Sequence, residues 1–505
     1  MQWFGLSKWK KSNQEGKKQG AKRKRKFLYL LVLSLVFSLF TFDFSIAADA
    51  RHYTDLKFPP LPEIKLPNYT RFVMDNGTIV YLMEDRELPL VNGTAVFRTG
   101  DRLEPSEKVG LGGLMGEVMR TGGTKAHSPD QLNEMLEQRA AAIETGVSTA
   151  DASADFSALS EDLNEVFSLF AEVVRQPVFS PEKLDLAKTQ QRGGIARRND
   201  SPNGIVAREF QKLVYGENSP YARTVEYSTV DNISRDDLVD FYQKYFHPNN
   251  MILGIVGDFD SKAMRQLIEE KFGDWKPNPQ LKIPPVPSAS QAKTGGIFMV
   301  NQPQLTQSYI QMGHLGGQRN SPDYAALSVL NGVLNGFGGR LFNQVRSRQG
   351  LAYSVYGYWD AAYDYPGTFI AAGQTRSETT VPFIQAMLGE IKRLRSEPIT
   401  TAELAYAKES VLNSFVFNFQ DPSQTLSRLI RYEYYGYPND FIFRFQKGVE
   451  ATTIEDVKRV AEKYLQPENI VTLVVGNAAA IQPPLTSLTR NVTSVDITIP
   501  KPKNS

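Results

Sequence analysis

Two stretches of the chain, 219 residues apart, share one pattern. Ile233 to Asp258 reads ISRDDLVDFYQKYFHPNNMILGIVGD, and Thr452 to Asn477 reads TTIEDVKRVAEKYLQPENIVTLVVGN. In each, a capping box opens an amphipathic helix, a proline follows the helix, and an apolar strand leads to a glycine. Coincidental helix-strand similarity is the alternative, but the shared cap, tyrosine, proline, asparagine and glycine at one offset favour duplication. The sequence therefore predicts two homologous α+β domains.

The segments around the first copy predict the elements of such a domain. Asn76-Gly77 indicates a hairpin between two short strands, and PLVNGTAVFRTG, residues 89–100, indicates another strand. AAAIETGVSTADASADFSAL is strand-like. Apolar spacing predicts helices over residues 108–121, 128–139, 161–175 and 181–199. We expect each domain to hold an antiparallel or mixed sheet with helices packed on one face.

A proline-rich stretch divides the chain. Residues 274–296, DWKPNPQLKIPPVPSASQAKTGG, contain five prolines and no periodic pattern, which predicts an extended linker. The predicted organisation is a leader over 1–47, an extended segment over 48–68, a first domain over 69–275, a linker over 276–295, a second domain over 296–480 and a tail over 481–505.

The N-terminus has the composition of a secretory signal. Ten Lys and Arg residues precede the uncharged run FLYLLVLSLVFSLFTF, and small residues follow, with cleavage expected after Ala47. Sixteen apolar residues are a little short for a membrane span, so an uncleaved anchor is the alternative. The sequence predicts export to the periplasm or an equivalent compartment, with membrane attachment only if the leader is kept.

Charge and cysteine content exclude several classes of function. The leader holds ten of the 57 basic and two of the 55 acidic residues, so the remaining chain has 47 basic and 53 acidic residues, about −6 overall. Nucleic acid is therefore not an expected partner. The absence of cysteine excludes disulfides, thiolate catalysis and cysteine-ligated zinc.

Three motifs resemble the pitrilysin/insulinase-type metallopeptidases, the inverted-zincin family that includes the mitochondrial processing peptidase. They are FRTGDRLEPSEKVGLGGLMGEVMRTGGT, NSPYARTVEYSTVDNISRDDLVDFYQKYFHPNNMILGIVGDFD and GGRLFNQVRSRQGLAYSVYG. The resemblance covers roughly residues 69–480. It implies two α+β domains that form half of a clam-shell chamber around a peptide.

The same resemblance places the family's zinc site on residues that cannot ligate zinc. The family carries His-x-x-Glu-His on a helix, where two His hold the metal and the Glu activates its water. Those three positions correspond here to Gly113, Gly116 and Glu117, and the third ligand corresponds to Gly194. The resemblance thus implies that this chain binds no zinc. The glycines predict either a hollow between two helices or simple drift.

A second part of the family's site is retained. The family's second domain supplies an Arg and a Tyr, seven residues apart, that bind the substrate carbonyl and stabilise the tetrahedral intermediate. QVRSRQGLAYSV keeps both as Arg346 and Tyr353. The alternative interpretation makes Arg346 a surface ion pair and Tyr353 a partly buried strand aromatic.

Two further segments are candidate substrate contacts. Gly336, Gly338 and Gly339 indicate either a mobile loop at the chamber mouth or a helix C-cap and turn. The resemblance implies that an extended peptide pairs with the strand containing Ala142 and Gly146, whose small residues also suit tight packing.

These observations support two hypotheses about function. In the first, the chain is the zinc-less subunit of a heterodimeric metalloendopeptidase, active on unfolded peptides only with a homologous zinc-bearing partner. In the second, it is an inactive pseudopeptidase that binds peptides or acts as a scaffold. An autonomous metallopeptidase conflicts with the four substitutions.

Overall fold

The computed structural model describes residues 65–502, and these residues form two six-stranded mixed sheets. The predicted leader over 1–47 and most of the segment over 48–68 lie outside the described residues. Within the described part, no helix has the length and apolar content needed to cross a bilayer.

The first sheet has the strand order β1-β2-β6-β3-β5-β4. Its strands β1 and β2 form the predicted hairpin, in which Gly77 takes a φ of +90° at the turn. Strands β2 and β6 run parallel, and the other neighbours are antiparallel. The strands are β1 Thr70–Val73, β2 Ile79–Glu84, β3 Leu90–Phe97, β4 Ala142–Val147, β5 Ala152–Leu159 and β6 Met251–Gly257.

The stretch predicted as strand-like over residues 140–159 is two strands rather than one. Strands β4 and β5 pair as an antiparallel hairpin, with Ala142 opposite Ser157 and Val147 opposite Ala152. The connection between them is polar and short, Ser148 to Asp151, and the amide of Ser148 donates to the carbonyl of Asp151 at 2.8 Å. The sequence marks this turn only by the two adjacent polar residues Ser148 and Thr149, and the alternation resumes directly at Ala150.

Helices of the first half cover one face of this sheet and bury a core with strands β3, β5 and β6. All four helices predicted from apolar spacing are present and end within three residues of the predicted bounds. The helices are α1 Leu111–Thr121, α2 Pro129–Glu137, α3 Leu163–Arg175, α4 Pro181–Arg197, α5 Pro202–Tyr215, α6 Tyr227–Asp231, α7 Arg235–Tyr245 and α8 Ser261–Phe272.

The second sheet has the corresponding order β12-β7-β11-β8-β10-β9, except that its edge strand β12 pairs with β7 in parallel, whereas β1 and β2 are antiparallel. Strands β7 and β11 are parallel, as are their counterparts β2 and β6. The elements are β7 Ile297–Asn301, β8 Gln307–Leu315, α9 Tyr324–Leu334, β9 Ser354–Asp360, β10 Thr368–Arg376, α10 Thr380–Ser396, α11 Thr401–Phe415, α12 Pro422–Tyr435, α13 Phe441–Ala451, α14 Ile454–Tyr464, β11 Val471–Gly476 and β12 Val492–Ser494.

The duplicated helix-strand unit occupies equivalent places in the two halves. Ser234 and Asp237 form a reciprocal capping box at the start of α7, and Thr453 and Asp456 form the same box at the start of α14. Each helix is followed by a strand that is buried along its whole length in the middle of its sheet. The predicted α+β fold of two homologous halves is thereby confirmed.

Each half of the chain also packs one of its helices on the sheet of the other half. Helix α5, from the first half, packs through Ile205 and Phe210 on strands β7, β10 and β11 of the second sheet. Helix α12, from the second half, packs through Leu426 and Ile430 on strands β2 and β6 of the first sheet. Helices therefore lie on both faces of each sheet, not on one face as the sequence predicted. The physical reason is that these central strands are apolar on both faces, and both must be buried.

Candidate functional site

Helix α1 carries the degenerate zinc positions, and Glu104 fixes where it begins. The carboxylate of Glu104 accepts the amide hydrogens of Gly110 and Gly112, each at 2.9 Å, at the positive end of the helix. Gly110 has a φ of +104°, a conformation that favours glycine. Glu104 is buried, and burial raises its pKa to about 7 although the two amide hydrogen bonds oppose the shift.

Two glycines of α1 differ in what surrounds them. Gly113 is exposed, and a Cβ placed there would meet nothing within 4 Å. A Cβ on Gly116 would lie 2.9 Å from the backbone of Gly146 and Val147. The hydroxyl of Thr145 also donates to the carbonyl of Gly116 at 2.5 Å. Gly113 therefore faces open space, the backbone at Gly116 is packed against strand β4, and a hollow between the two helices stays a prediction.

The remaining positions of the family's zinc site offer few groups that could ligate zinc. Gly193 and Gly194 on α4 have open space where a side chain would stand. Glu117 is exposed, and its carboxylate makes no ion pair within residues 65–502. A set of three glycines and one carboxylate offers one donor group where a protein zinc site uses three or four. These residues do not fit a zinc ion.

The histidines do not rebuild a metal site elsewhere. His127 bonds Glu172 at 2.8 Å in a half-buried pair, and His247 lies against Asn278 at 3.2 Å. His314 is buried and accepts the amide of Gln466. His52 lies outside the described residues. Within the described part of the chain, no group of three or more His, Asp or Glu side chains is placed to hold a metal ion.

Arg346 and Tyr353 lie side by side. Arg346 belongs to a π-helical turn, Phe342–Arg348, and Tyr353 directly precedes strand β9. The guanidinium carbon is 5.0 Å from the ring centroid of Tyr353 and 4.8 Å from that of Phe342. Tyr353 is 84% exposed. In residues 65–502 Arg346 has no carboxylate partner, so neither the surface ion pair nor the half-buried tyrosine of the alternative interpretation is observed.

The glycine-rich loop before this turn is packed on Tyr406 of α11. Gly338 donates its amide hydrogen to the Tyr406 hydroxyl at 3.0 Å. Gly336 has a φ of +78°, and a Cβ there would lie 2.2 Å from the same hydroxyl oxygen. A Cβ on Gly339 would lie 2.1 Å from the carbonyl oxygen of Asn335. Close backbone approach accounts for all three glycines, and their role in substrate contact stays a prediction.

Strand β4, the candidate peptide-binding strand, is the end strand of the first sheet. Ala142 is exposed, and a Cβ on Gly146 would meet nothing within 4 Å. A pocket of about 510 Å³ opens beside this strand, between the sheet and the exchanged helix α12. Glu144, Asp155 and Asp421 line it and make it acidic.

Sequence reasoning missed the contributions of Asp155 and of α12 to this pocket. The alternation in ASADFSAL contained the signal for Asp155, because every second residue of a strand faces the same side. Nothing in the sequence indicated that a helix some 270 residues later would cover that face.

Two family models match the chain. Residues 83–225 match the model described as "Insulinase (Peptidase family M16)", and residues 232–411 match "Peptidase M16 inactive domain". The chain belongs to the insulinase-type M16 family. It is a member in which the zinc motif is absent, since Gly113, Gly116 and Glu117 occupy the motif positions.

Similar proteins occur in other bacteria. An uncharacterized zinc protease of Mycobacterium leprae is 26% identical over 322 residues, 61% of this chain and 69% of that protein. The non-peptidase homolog YmxG of Helicobacter pylori is 23% identical over 401 residues, 78% of this chain and 90% of that protein.

Two solved structures have the same fold as this chain. The peptidase M16 inactive domain from Pseudomonas fluorescens superposes with a TM-score of 0.74 at 25% identity, covering 82% of this chain and all of that one. The periplasmic protease PqqL from Escherichia coli gives a TM-score of 0.69 at 18% identity, covering 82% of this chain and 46% of that one.

Proposed function

We propose that this M16 protein is the zinc-less subunit of an exported heterodimeric metalloendopeptidase. Its own contribution is the oxyanion-stabilising pair Arg346 and Tyr353, together with part of the wall of a peptide chamber. The observation that carries the proposal is the adjacency of these two side chains at the surface, in a chain whose zinc positions are glycines.

The chemistry of the pair supports this role. A guanidinium and a phenol are hydrogen-bond donors, and donors aimed at a developing oxyanion lower the barrier to peptide hydrolysis. Because Arg346 has no carboxylate partner in residues 65–502, its donors are free to bind a substrate carbonyl. The ring of Tyr353 lies over the guanidinium, and this contact holds the two groups near one another.

Strand β4 supports a role in holding the substrate. An extended peptide adds to a free sheet edge through main-chain hydrogen bonds, which suits unfolded rather than folded substrates. Glu144 and Asp155 beside this edge favour peptides with basic side chains.

A homologous partner supplies what this chain lacks. The Mycobacterium leprae relative is named a zinc protease, so similar chains with a zinc site are a reasonable source of the partner. In the proposed complex the partner holds the zinc and the catalytic Glu, and this chain brings Arg346 and Tyr353 to the shared site.

The N-terminal leader supports export. Its basic region, apolar run and small residues before Ala48 are those of a secretory signal, and the structurally similar PqqL is described as periplasmic. We propose the periplasm or an equivalent compartment, with attachment to the membrane if the leader is not removed.

The test is to purify the tagged protein gently from its native cell extract and to assay cleavage of an unstructured basic peptide. We expect cleavage that a metal chelator abolishes. The cleaving activity should co-purify with a homologue that carries His-x-x-Glu-His. An inert preparation without such a homologue would contradict the proposed complex.

A peptide-binding protein without catalysis is the second candidate. The contact between Gly116 and Gly146 favours it, because it closes the place where a catalytic Glu would stand. The Helicobacter pylori relative is likewise named a non-peptidase homolog. An inert, partner-free preparation that binds the same peptide with a measurable Kd would support this candidate.

A further inference from the structure

A second cavity lies in the C-terminal half, away from Arg346, Tyr353 and strand β4. It measures about 560 Å³ and opens between the segment before α9, the turn after α12 and helix α13. None of the predicted site residues lines it. The lining residues are Arg319, Asn320, Ser321, Pro322, Tyr324, Ala325, Tyr435, Gly436, Tyr437, Pro438, Phe441, Arg444, Phe445 and Gly448.

Aromatic rings form the walls of this cavity, which we call the aromatic cavity. Tyr324 packs against Phe445 with ring centroids 5.1 Å apart and against Phe441 at 6.3 Å in a nearly parallel arrangement. Tyr437 meets Phe441 edge to face at 4.8 Å. Such contacts hold the rings in fixed orientations, so the cavity is preformed for a flat ligand.

Arg319 places a cation in the aromatic cavity. Its Nε donates to the carbonyl of Ala361 at 2.8 Å, and its guanidinium carbon lies 4.5 Å from the ring centroid of Tyr363. Its Nη1 also donates to the hydroxyl of Tyr363 at 3.3 Å, and all three of these contacts are with uncharged groups. No carboxylate lies within ion-pair distance of Arg319 in residues 65–502, and its Nη2 has no hydrogen-bond partner there.

The charge of Arg319 persists in this environment. Burial, the largest influence, would lower the pKa of the guanidinium, but Tyr324, Tyr363 and Asp360 favour the cation and keep the pKa above its ordinary value. A half-buried arginine that forms no ion pair within residues 65–502 keeps charged donors available for the carboxylate of a ligand.

The charges of the cavity lining also favour an anionic ligand. The cavity walls contain two arginines and no Asp or Glu. Arg444, the second arginine, is at the rim and pairs with Asp440 at 2.8 Å, where both side chains are more than half exposed. Arg319, which is half-buried, is therefore the cation of this lining that has no carboxylate partner in residues 65–502, and the complementary ligand group is an anion.

We propose that the aromatic cavity is a binding site for a small planar aromatic carboxylate. The ring of the ligand stacks among Tyr324, Phe441 and Phe445, and its carboxylate accepts hydrogen bonds from the guanidinium of Arg319. The cavity volume falls within the range typical of small-molecule sites. This site is independent of the proposed peptidase role, since it uses neither the Arg346–Tyr353 pair nor strand β4.

The experiment uses 2-naphthoate as the probe and neutral 2-naphthamide as its matched control, titrated calorimetrically into the purified full-length protein. We expect one saturable naphthoate site, with the amide binding at least ~10-fold more weakly because it cannot form the charged hydrogen bond. Equal affinity for the two probes, or no saturable binding of naphthoate at millimolar concentration, would overturn the proposal.

Two variants locate the site. Arg319→Gln should weaken naphthoate binding at least ~10-fold, whereas Arg431→Gln should not change it, since Arg431 contacts the ring of Tyr363 but does not line the cavity. If Arg319→Gln fails to fold, Asn320→Trp serves instead, because residue 320 is exposed at the rim and the indole would fill the cavity. Unchanged binding in a folded Arg319→Gln or Asn320→Trp variant would refute the assignment.

Discussion

Gly116 of helix α1 and Gly146 of strand β4 stand backbone against backbone. A Cβ on Gly116 would lie 2.9 Å from the Cα and the carbonyl carbon of Gly146, closer than such atoms pack in proteins. Gly113, three residues earlier on the same helix, has open space instead. The glycines at the two zinc-motif positions thus have different structural roles, since the helix and the strand are in direct backbone contact at Gly116 and Gly113 faces open space.

This difference predicts opposite effects of the same substitution. Gly113→Ala should stabilise the protein by roughly 0.5–1 kcal/mol, because alanine is the better helix former and meets no neighbour. Gly116→Ala should destabilise it by about 1–2 kcal/mol, because strand β4 must move away. Urea denaturation of the two variants measures both free energies of unfolding, and effects of the same sign would contradict the packing described.

Arg346→Ala should lower kcat of the proposed complex about 100-fold or more while leaving KM nearly unchanged, as for loss of an oxyanion donor. The matched control is Arg348→Ala on the same turn, since Arg348 is exposed and its side chain bonds only Gln344. Peptide cleavage by complexes reconstituted with each variant checks this. Equal activity of the two variants would refute the role of Arg346.

The buried Glu104 should make the protein more stable in mild acid than at neutral pH. Its pKa is about 7 in the folded protein and near 4.5 when exposed, so the folded state binds the extra proton between these values. The stability that it contributes is complete below pH 4.5 and is lost as the pH rises through 7, a change of at most about 3 kcal/mol.

Glu104→Gln should flatten this dependence, whereas Glu117→Gln, at an exposed position of the adjoining helix, should leave it in place. Free energies of unfolding measured between pH 5 and 8 compare the variants. A Glu104→Gln protein with the same slope as the unaltered chain would show that another group is responsible.

The ion pair between Arg102 and Asp364 joins the two halves of the chain. Two hydrogen bonds of 3.0 and 2.8 Å connect the side chains, and the side chain of Arg102 is 7% exposed. Asp364→Asn should cost ~3–5 kcal/mol of stability, because it leaves a buried guanidinium without its anion.

The comparison is Asp231→Asn, which removes the partner of Arg192 in an exposed pair and should cost less than about 1 kcal/mol. Denaturant midpoints of the two variants distinguish a buried from an exposed pair. Similar losses in both would contradict the burial of Arg102.

Local features were predicted most accurately. The capping boxes at Ser234 and Thr453 and the turn at Asn76-Gly77 were identified because each depends on residues a few positions apart. The glycine-rich loop was harder to interpret. Tyr406, the side chain that explains Gly336 and Gly338, lies almost 70 residues away in the chain.

The sequence by itself determined the family, the duplicated α+β architecture and the loss of the zinc ligands, since these are properties of residue identity and short-range periodicity. Only the tertiary structure decided that helices α5 and α12 exchange sheets, that Gly116 is closed while Gly113 is open, and that Arg346 contacts Tyr353. Arg319 was likewise placed among distant aromatic rings by the fold alone. The physical reason is that periodicity shows which face of an element is apolar, but which distant surface buries that face depends on packing across the whole chain.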